Sequence, residues 1–87
     1  MARFFFHLHE EAIFRDEEGS DFNDEAAARE NAIHSARELA CARAMQGQLV
    51  LSHSIAIVDD RGRQVGEVTY GDAVGLPRLM ANAQEAD

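Results

Sequence analysis

The sequence contains little cysteine and little proline, and it has no tryptophan and no lysine. Its single cysteine, Cys41, excludes an internal disulfide and is typical of proteins in a reducing compartment. No apolar run approaches the ~20 residues of a membrane span. The apolar stretch after Arg3 is too short for a signal peptide, and His7 and His9 interrupt it. We therefore expect a cytoplasmic protein without a membrane partner.

Positive charge is scarce as well. Eight arginines stand against sixteen aspartates and glutamates, which gives a formal net charge of −8. A strongly negative protein repels phosphate backbones, so the composition disfavours nucleic acid as a partner. Arginine forms planar, bidentate pairs with carboxylates, and we expect the arginines to serve mainly as partners of the acidic residues.

The length of 87 residues predicts a single domain spanning 1–87. Its core is expected at about residues 2–70, followed by a C-terminal tail at 71–87 that is partly helical or frayed. A chain of this size buries a modest core, and its stability can depend on oligomerisation.

The stretch from residue 3 to residue 9 predicts the first strand and carries three adjacent phenylalanines. Successive side chains of a strand point to opposite faces. The even-numbered positions are predicted to face the core, namely Phe4, Phe6 and Leu8. The odd-numbered positions are predicted to face the other way and include Phe5, His7 and His9.

The remaining pattern predicts three more strands and one long helix. Alanine, the best helix former, crowds the helical segment. Gly19 is expected at positive φ after an acidic turn, and Gly47 is placed to end the helix. The predicted elements are strands at 3–9, 12–15, 54–58 and 64–70, a helix at about 24–45, and a frayed terminal helix at 78–86.

This order predicts an α+β fold, ββαββ. Each pair of strands forms a hairpin, and a return through the helix places the third strand antiparallel to the first and beside it. The expected architecture is a two-layer sandwich, in which a four-stranded antiparallel sheet of order 2-1-3-4 carries one long helix on one face. The helix is expected to pack through one arc of mostly small residues: Ala26, Ile33, Ala36, Ala40 and Ala44.

Several short motifs resemble those of an uncharacterised family of small bacterial proteins, known only as a domain of unknown function. They are the opening Arg-Phe-Phe-Phe, the turn Asp16-Glu17-Glu18-Gly19, the helical segment Ala36-Arg37-Glu38-Leu39 and a late Asp-x-x-Gly hairpin at 59–62. The resemblance covers most of residues 2–70. It departs at residues 10–11, where similar proteins often carry an Asp-Gly turn. The resemblance implies no activity.

Two histidines on one strand face suggest a metal-binding alternative. His7 and His9 are close enough in sequence to share a cation, Glu10 or Glu11 offers a carboxylate, and His53 is a third imidazole within reach. Zinc and nickel sites need three or four ligands in a defined geometry, and no standard ligand spacing is present. We expect no cofactor and no required metal. A small metal-binding protein or enzyme that uses His7, His9 and a nearby carboxylate stays open as the alternative.

The acidic turn formed by Asp16, Glu17 and Glu18 offers carboxylates to a divalent cation or to an arginine-bearing partner. It lacks the alternating ligands that a calcium loop places over about twelve residues. We interpret it as a solvated loop whose carboxylates pair with nearby arginines.

Catalytic motifs are absent from the sequence: it has no Gly-rich phosphate loop, no nucleophile elbow and no Cys-x-x-Cys. This disfavours an enzyme. The sheet face that carries Phe5 is expected to remain uncovered by the helix, and an exposed apolar patch on a small protein marks an interaction site. The favoured hypothesis is a small non-catalytic binding or regulatory module that acts as a homodimer or in a complex with a protein partner.

Overall fold

The computed structural model describes residues 1–75. The fold is α+β, with one antiparallel sheet and one long helix. The predicted helix at 78–86 lies outside the described residues, and neither helix within them is long and apolar enough to cross a membrane. The elements are β1 (Ala2–His9), β2 (Ile13–Phe14), β3 (Ser20–Phe22), α1 (Glu25–Met45), β4 (Ser54–Asp59), β5 (Gln64–Thr69) and α2 (Tyr70–Val74).

The five strands belong to one sheet in which β1 has neighbours on both sides. The strands follow the order β2-β1-β4-β5, and β3 pairs with the part of β1 that β2 leaves free. β2 lies beside Leu8 and His9, whereas β3 lies beside residues 2–4. The predicted four-stranded sheet of order 2-1-3-4 is therefore wrong in detail, because it lacks β3. The outer edge of β1 is divided between two short strands with a turn between them.

The long helix α1 begins and ends at its capping residues. The Asp24 carboxylate accepts a hydrogen bond from the Ala27 N–H at 2.9 Å, as an N-cap residue does. Gly47 follows the helix with a φ of 72°, the left-handed conformation that ends many helices. The buried face differs from the predicted arc, because Ala26 and Ala44 are exposed. The buried positions repeat every four residues, at Ala28, Ala32, Ala36 and Ala40.

This alanine ridge packs against large side chains of the sheet. A four-residue repeat winds slowly around a helix, so it follows a twisted sheet better than one straight arc does. The sheet residues of this core are at most 3% exposed and comprise Phe4, Ile55, Ile57 and Val68. Phe6 and Leu8 are half-buried and pack at the margin of the same core. The even-numbered positions of β1 thus face the core, as predicted.

The short helix α2 follows β5 directly, where the sequence predicts a strand that continues to residue 70. The Thr69 hydroxyl accepts a hydrogen bond from the Asp72 N–H at 3.0 Å and caps the helix. The Tyr70 N–H donates to the His53 carbonyl at 2.8 Å, which joins α2 to the chain before β4. Tyr70 is fully buried.

We call the side of the sheet opposite α1 the open face. Directly paired residues of antiparallel strands point to the same side of a sheet. In the β1–β4 pair, the open face carries Phe5 opposite Val58, His7 opposite Ala56 and His9 opposite Ser54. α2 contacts α1 and therefore lies on the same side of the sheet as α1.

Candidate functional site

The structure places Phe5, His7 and His9 on the open face, and each is half-buried. The Phe5 ring lies against Gly19, where an added Cβ would come within 2.9 Å of Phe5 Cε1. The His7 Nδ1 accepts a hydrogen bond from the Asp16 N–H at 3.1 Å. Phe5 and His7 therefore contact the acidic turn, whereas His9 lies at the end of β1.

The acidic turn is bound to the outer edge of β1 between β2 and β3. The Asp16 carboxylate accepts a hydrogen bond from the Phe6 N–H at 3.2 Å, at a position where β1 has no strand partner on that side. The same carboxylate accepts from the Gly19 N–H at 3.0 Å and the Glu18 N–H at 3.3 Å. Gly19 has a φ of 72°, and a side chain there would come within 2.9 Å of the Phe4 carbonyl oxygen. The turn therefore requires glycine.

The interpretation of this turn as a loop paired with arginines does not hold for Asp16. Its carboxylate accepts backbone N–H groups and stabilises the edge of the sheet. Arg3 instead pairs with Asp21 at 3.1 Å and donates to the Glu18 carbonyl oxygen at 3.2 Å. Glu17 and Glu18 have exposed side chains.

These backbone hydrogen bonds favour the ionised form of Asp16. Burial opposes ionisation of the carboxyl group, but the hydrogen bonds from Gly19, Phe6 and Glu18 outweigh burial and hold the pKa of Asp16 below its ordinary value. A carboxyl group whose pKa is lower in the folded state stabilises the fold at neutral pH. That contribution is lost as the pH falls below about 4.

We expect the Asp16→Asn variant to lose about 1–2 kcal/mol of stability at neutral pH, because hydrogen bonds to a charged acceptor are stronger than those to an amide. The loss should shrink in acid, where the wild-type carboxyl group is itself protonated. Urea unfolding between neutral pH and pH ~3 measures this difference. Glu17→Gln, an exposed substitution in the same turn, serves as the control. A loss that stays constant across the pH range would contradict the assignment.

A second polar cluster ties the hairpin after β1 to both helices. Glu10 has a side chain only 9% exposed, and its carboxylate receives a bidentate pair of hydrogen bonds from Arg43 near the end of α1. The Nε–Oε2 distance is 3.0 Å and the Nη2–Oε1 distance is 2.9 Å. The Tyr70 hydroxyl donates to the same Glu10 Oε2 at 2.5 Å. We call these three residues the clamp.

The contacts within the clamp shift the pKa values of its members. The hydrogen bond from Arg43 lowers the pKa of Glu10, against the effect of burial, and the Tyr70 hydroxyl adds to this. Burial and the hydrogen bond to Glu10 raise the pKa of Tyr70 far above its ordinary value. At neutral pH the clamp therefore holds an ionised glutamate, an arginine cation and a neutral phenol.

A groove of about 360 Å³ lies beside the clamp. Glu10 and Arg43 form part of its polar wall, with Gln48 and His53, and Phe14 contributes an aromatic wall that is 57% exposed. The volume falls in the range of small-molecule sites. In the part of the chain that the structure describes, the Glu10 carboxylate already has hydrogen bonds to both oxygens. The clamp therefore supports the wall of the groove and does not offer a free carboxylate to a ligand.

The structure separates the residues of the metal-binding alternative. His7 and His9 lie on the open face, whereas His53 contacts the Tyr70 ring at a centroid distance of 6.0 Å. Glu10 is engaged by Arg43 and Tyr70. Among residues 1–75, no group of three or more histidine, cysteine, aspartate or glutamate side chains is placed to hold a metal ion.

The chain belongs to a family described as a domain of unknown function, DUF6894, whose family model matches residues 3–71. This match includes the acidic turn, α1 and the three residues of the clamp. No curated protein and no solved structure matches the chain.

Proposed function

We propose that this protein is a non-catalytic binding module that assembles as a homodimer through the open face of its sheet. The observation that carries the proposal is the one-sided packing of the sheet. α1 and α2 lie on one side, and Phe5 is half-buried on the other side with Val58 opposite it. A second copy placed on the open face would complete the burial of both residues.

The charge of the open face supports a second copy as the occupant. A chain with a net charge of −8 repels its own copy unless the contact surface is nearly neutral. On the open face, Arg3 and Asp21 form an ion pair that cancels their charges. Glu67 pairs with Ala56 in the sheet register and brings one carboxylate to this face, where it accepts a hydrogen bond from the Ser54 hydroxyl at 2.6 Å.

The shape of the open face supports the same occupant. Near the middle of β4, this face carries the small residue Ala56, which pairs with His7 on one side and with Glu67 on the other. Small central residues allow two sheets to approach to the ~10 Å spacing of packed sheets. A two-fold axis would use the same patch on both copies, which is the commonest symmetry of homo-oligomers.

The test is light scattering of the purified protein at micromolar concentration. We expect a dimer for the wild type at neutral pH and a monomer for Phe5→Glu, because a carboxylate on the open face would be buried without a partner. Phe14→Glu makes the same chemical change at an exposed position on the groove wall and should remain dimeric.

Circular dichroism of each variant establishes that it is folded. If Phe5→Glu does not fold, Val58→Glu makes the equivalent change on the neighbouring strand. A wild type that is monomeric at neutral pH defeats the dimer outright. A dimer that survives both substitutions lies elsewhere on the molecule, and the open face then has no part in it.

A further inference from the structure

The outer edge of β5 offers backbone hydrogen-bonding groups to a strand of another molecule. β5 pairs with β4 on one side, and within residues 1–75 it has no strand on the other side. Along an antiparallel pair of strands, hydrogen-bonded and non-hydrogen-bonded residue pairs alternate. The hydrogen bond from the Tyr70 N–H to the His53 carbonyl shows which pairs of β4 and β5 are of the first kind. Val68 then directs its backbone groups toward β4, and Glu67 and Thr69 direct their N–H groups outward.

A groove runs along this edge between β5 and α1. Two adjoining cavities of about 220 and 330 Å³ form it, and both are lined by Arg29. Val65 lines the first cavity, whereas Ile33 and Val68 line the second. If an extended chain were added to β5, its alternate side chains would therefore lie beside the apolar residues of these two cavities, with Arg29 between them.

The Arg29 guanidinium lies against the backbone of β5 at Gly66, where the lack of a side chain leaves room for it. An added Cβ at Gly66 would come within 2.9 Å of Arg29 Nη1. Among the described residues, Arg3, Arg43 and Arg63 form ion pairs with carboxylates, but Arg29 takes part in no ion pair or hydrogen bond. Arg15, Arg37 and Arg61 likewise form no ion pair within residues 1–75. Arg29 differs from them because its guanidinium lies against the β5 backbone at Gly66.

Three acidic residues line the same groove, and none of them forms an ion pair with Arg29. Glu67 directs its carboxylate to the Ser54 hydroxyl, and neither Glu25 nor Asp72 forms an ion pair with Arg29. The free guanidinium can therefore bind an incoming carboxylate in the bidentate geometry that arginine favours.

We propose that the β5 edge binds an extended peptide of a partner protein by strand addition, with an acidic side chain of the peptide on Arg29 and apolar side chains two residues to either side. Strand addition obtains affinity from backbone hydrogen bonds and specificity from the pockets that receive alternate side chains. This inference rests on the proposed role as a binding module and is independent of the dimer through the open face.

The probe is an acetylated and amidated peptide, Thr-Val-Thr-Glu-Thr-Val-Thr, compared with the same peptide carrying glutamine in place of glutamate. We expect the full-length protein to bind the glutamate peptide about tenfold more tightly, the value of one charge-assisted hydrogen-bonded contact. Arg29→Gln should abolish this preference. Arg61→Gln removes the same charge from an exposed hairpin and should retain it.

Nuclear magnetic resonance locates the peptide. The amide signals of Glu67 and Thr69 should shift on binding, and their hydrogen exchange, fast in the free protein, should slow. N-methylation of alternate peptide residues gives two further probes. One set of methyl groups should abolish binding because it removes N–H groups that face β5, and the other set should leave binding intact.

Four results would overturn the inference. They are equal affinity for the glutamate and glutamine peptides, signal shifts confined to the clamp groove or to the open face, slow exchange of the Glu67 and Thr69 amides before peptide is added, and equal effects of both N-methylated sets. Repeating the titration with monomeric Phe5→Glu separates this proposal from the dimer. Binding by that variant would support strand addition whether or not the wild type dimerises.

Discussion

Replacing Phe4 by alanine is expected to lower the free energy of unfolding by about 3–5 kcal/mol, because the substitution leaves a cavity in the centre of the core. Phe4 is 3% exposed and packs against Phe22, with ring centroids 6.4 Å apart. It also belongs to the core cluster that contains the alanine ridge of α1. The small alanine side chains cannot move into the vacated space without displacing the helix, so little of the cavity can be filled.

The matched control for Phe4→Ala is Phe5→Ala, the same change at the next residue. Phe5 lies on the open face and is half-buried, so its removal should cost clearly less in a monomer. Phe6 is half-buried on the core side, where its ring meets Phe22 edge-on at a centroid distance of 5.7 Å, and an intermediate loss is expected. Urea unfolding at a concentration where the protein is monomeric measures all three. Equal losses at Phe4 and Phe5 would contradict the assignment of the two faces.

The sequence could predict which side chains of β1 face the core, because a period of two is a strong local signal in an unusually aromatic strand. The bounds of α1 could be predicted for a similar reason, since Asp24 and Gly47 are recognisable caps and alanine favours helix between them. The buried face of α1 was harder to identify. Alanine appears on both the buried and the exposed sides, so the sequence carries little contrast between the sides of the helix.

β3 and α2 illustrate what local pattern does not contain. The sequence of β3, Ser-Asp-Phe, has no β-branched residue and no alternation long enough to indicate a strand. It becomes one because Gly19 directs the chain back along β1 and Arg3 pairs with Asp21 across the two strands. The turn into α2 depends on Thr69 as a cap, and threonine is equally common within strands.

The clamp could not be predicted because its contacts are long-range. Arg43 is 33 residues from Glu10, and Tyr70 is 60 residues from it. In sequence, Glu10 and its acidic neighbour indicate an exposed turn, and Tyr70 reads as the last residue of a strand. The folded sheet and the two helices bring the three side chains together, and burial then makes each dependent on the others.

We expect Arg43→Met to lower the free energy of unfolding, by less than the ~3–5 kcal/mol that breaking a fully buried ion pair costs, because Arg43 is 31% exposed. Methionine keeps most of the aliphatic volume and removes the charge, so the loss arises mainly from a Glu10 carboxylate left nearly buried without its cation. Arg61→Met, on the exposed hairpin, is the control for the change in net charge.

The Glu10→Gln/Arg43→Met double variant should be more stable than the sum of the single losses predicts, because the glutamine carries no charge that needs a partner and can still accept a hydrogen bond from the Tyr70 hydroxyl.

The pH dependence of stability gives an independent test. In the wild type, Arg43 lowers the pKa of Glu10, so this stabilisation is present above about pH 4.5 and is lost as the pH falls. In Arg43→Met, burial instead favours the protonated carboxyl group. The difference in stability between wild type and Arg43→Met should therefore narrow in acid. Additive losses, or a difference that does not change with pH, would mean that Glu10 and Arg43 stabilise the fold independently.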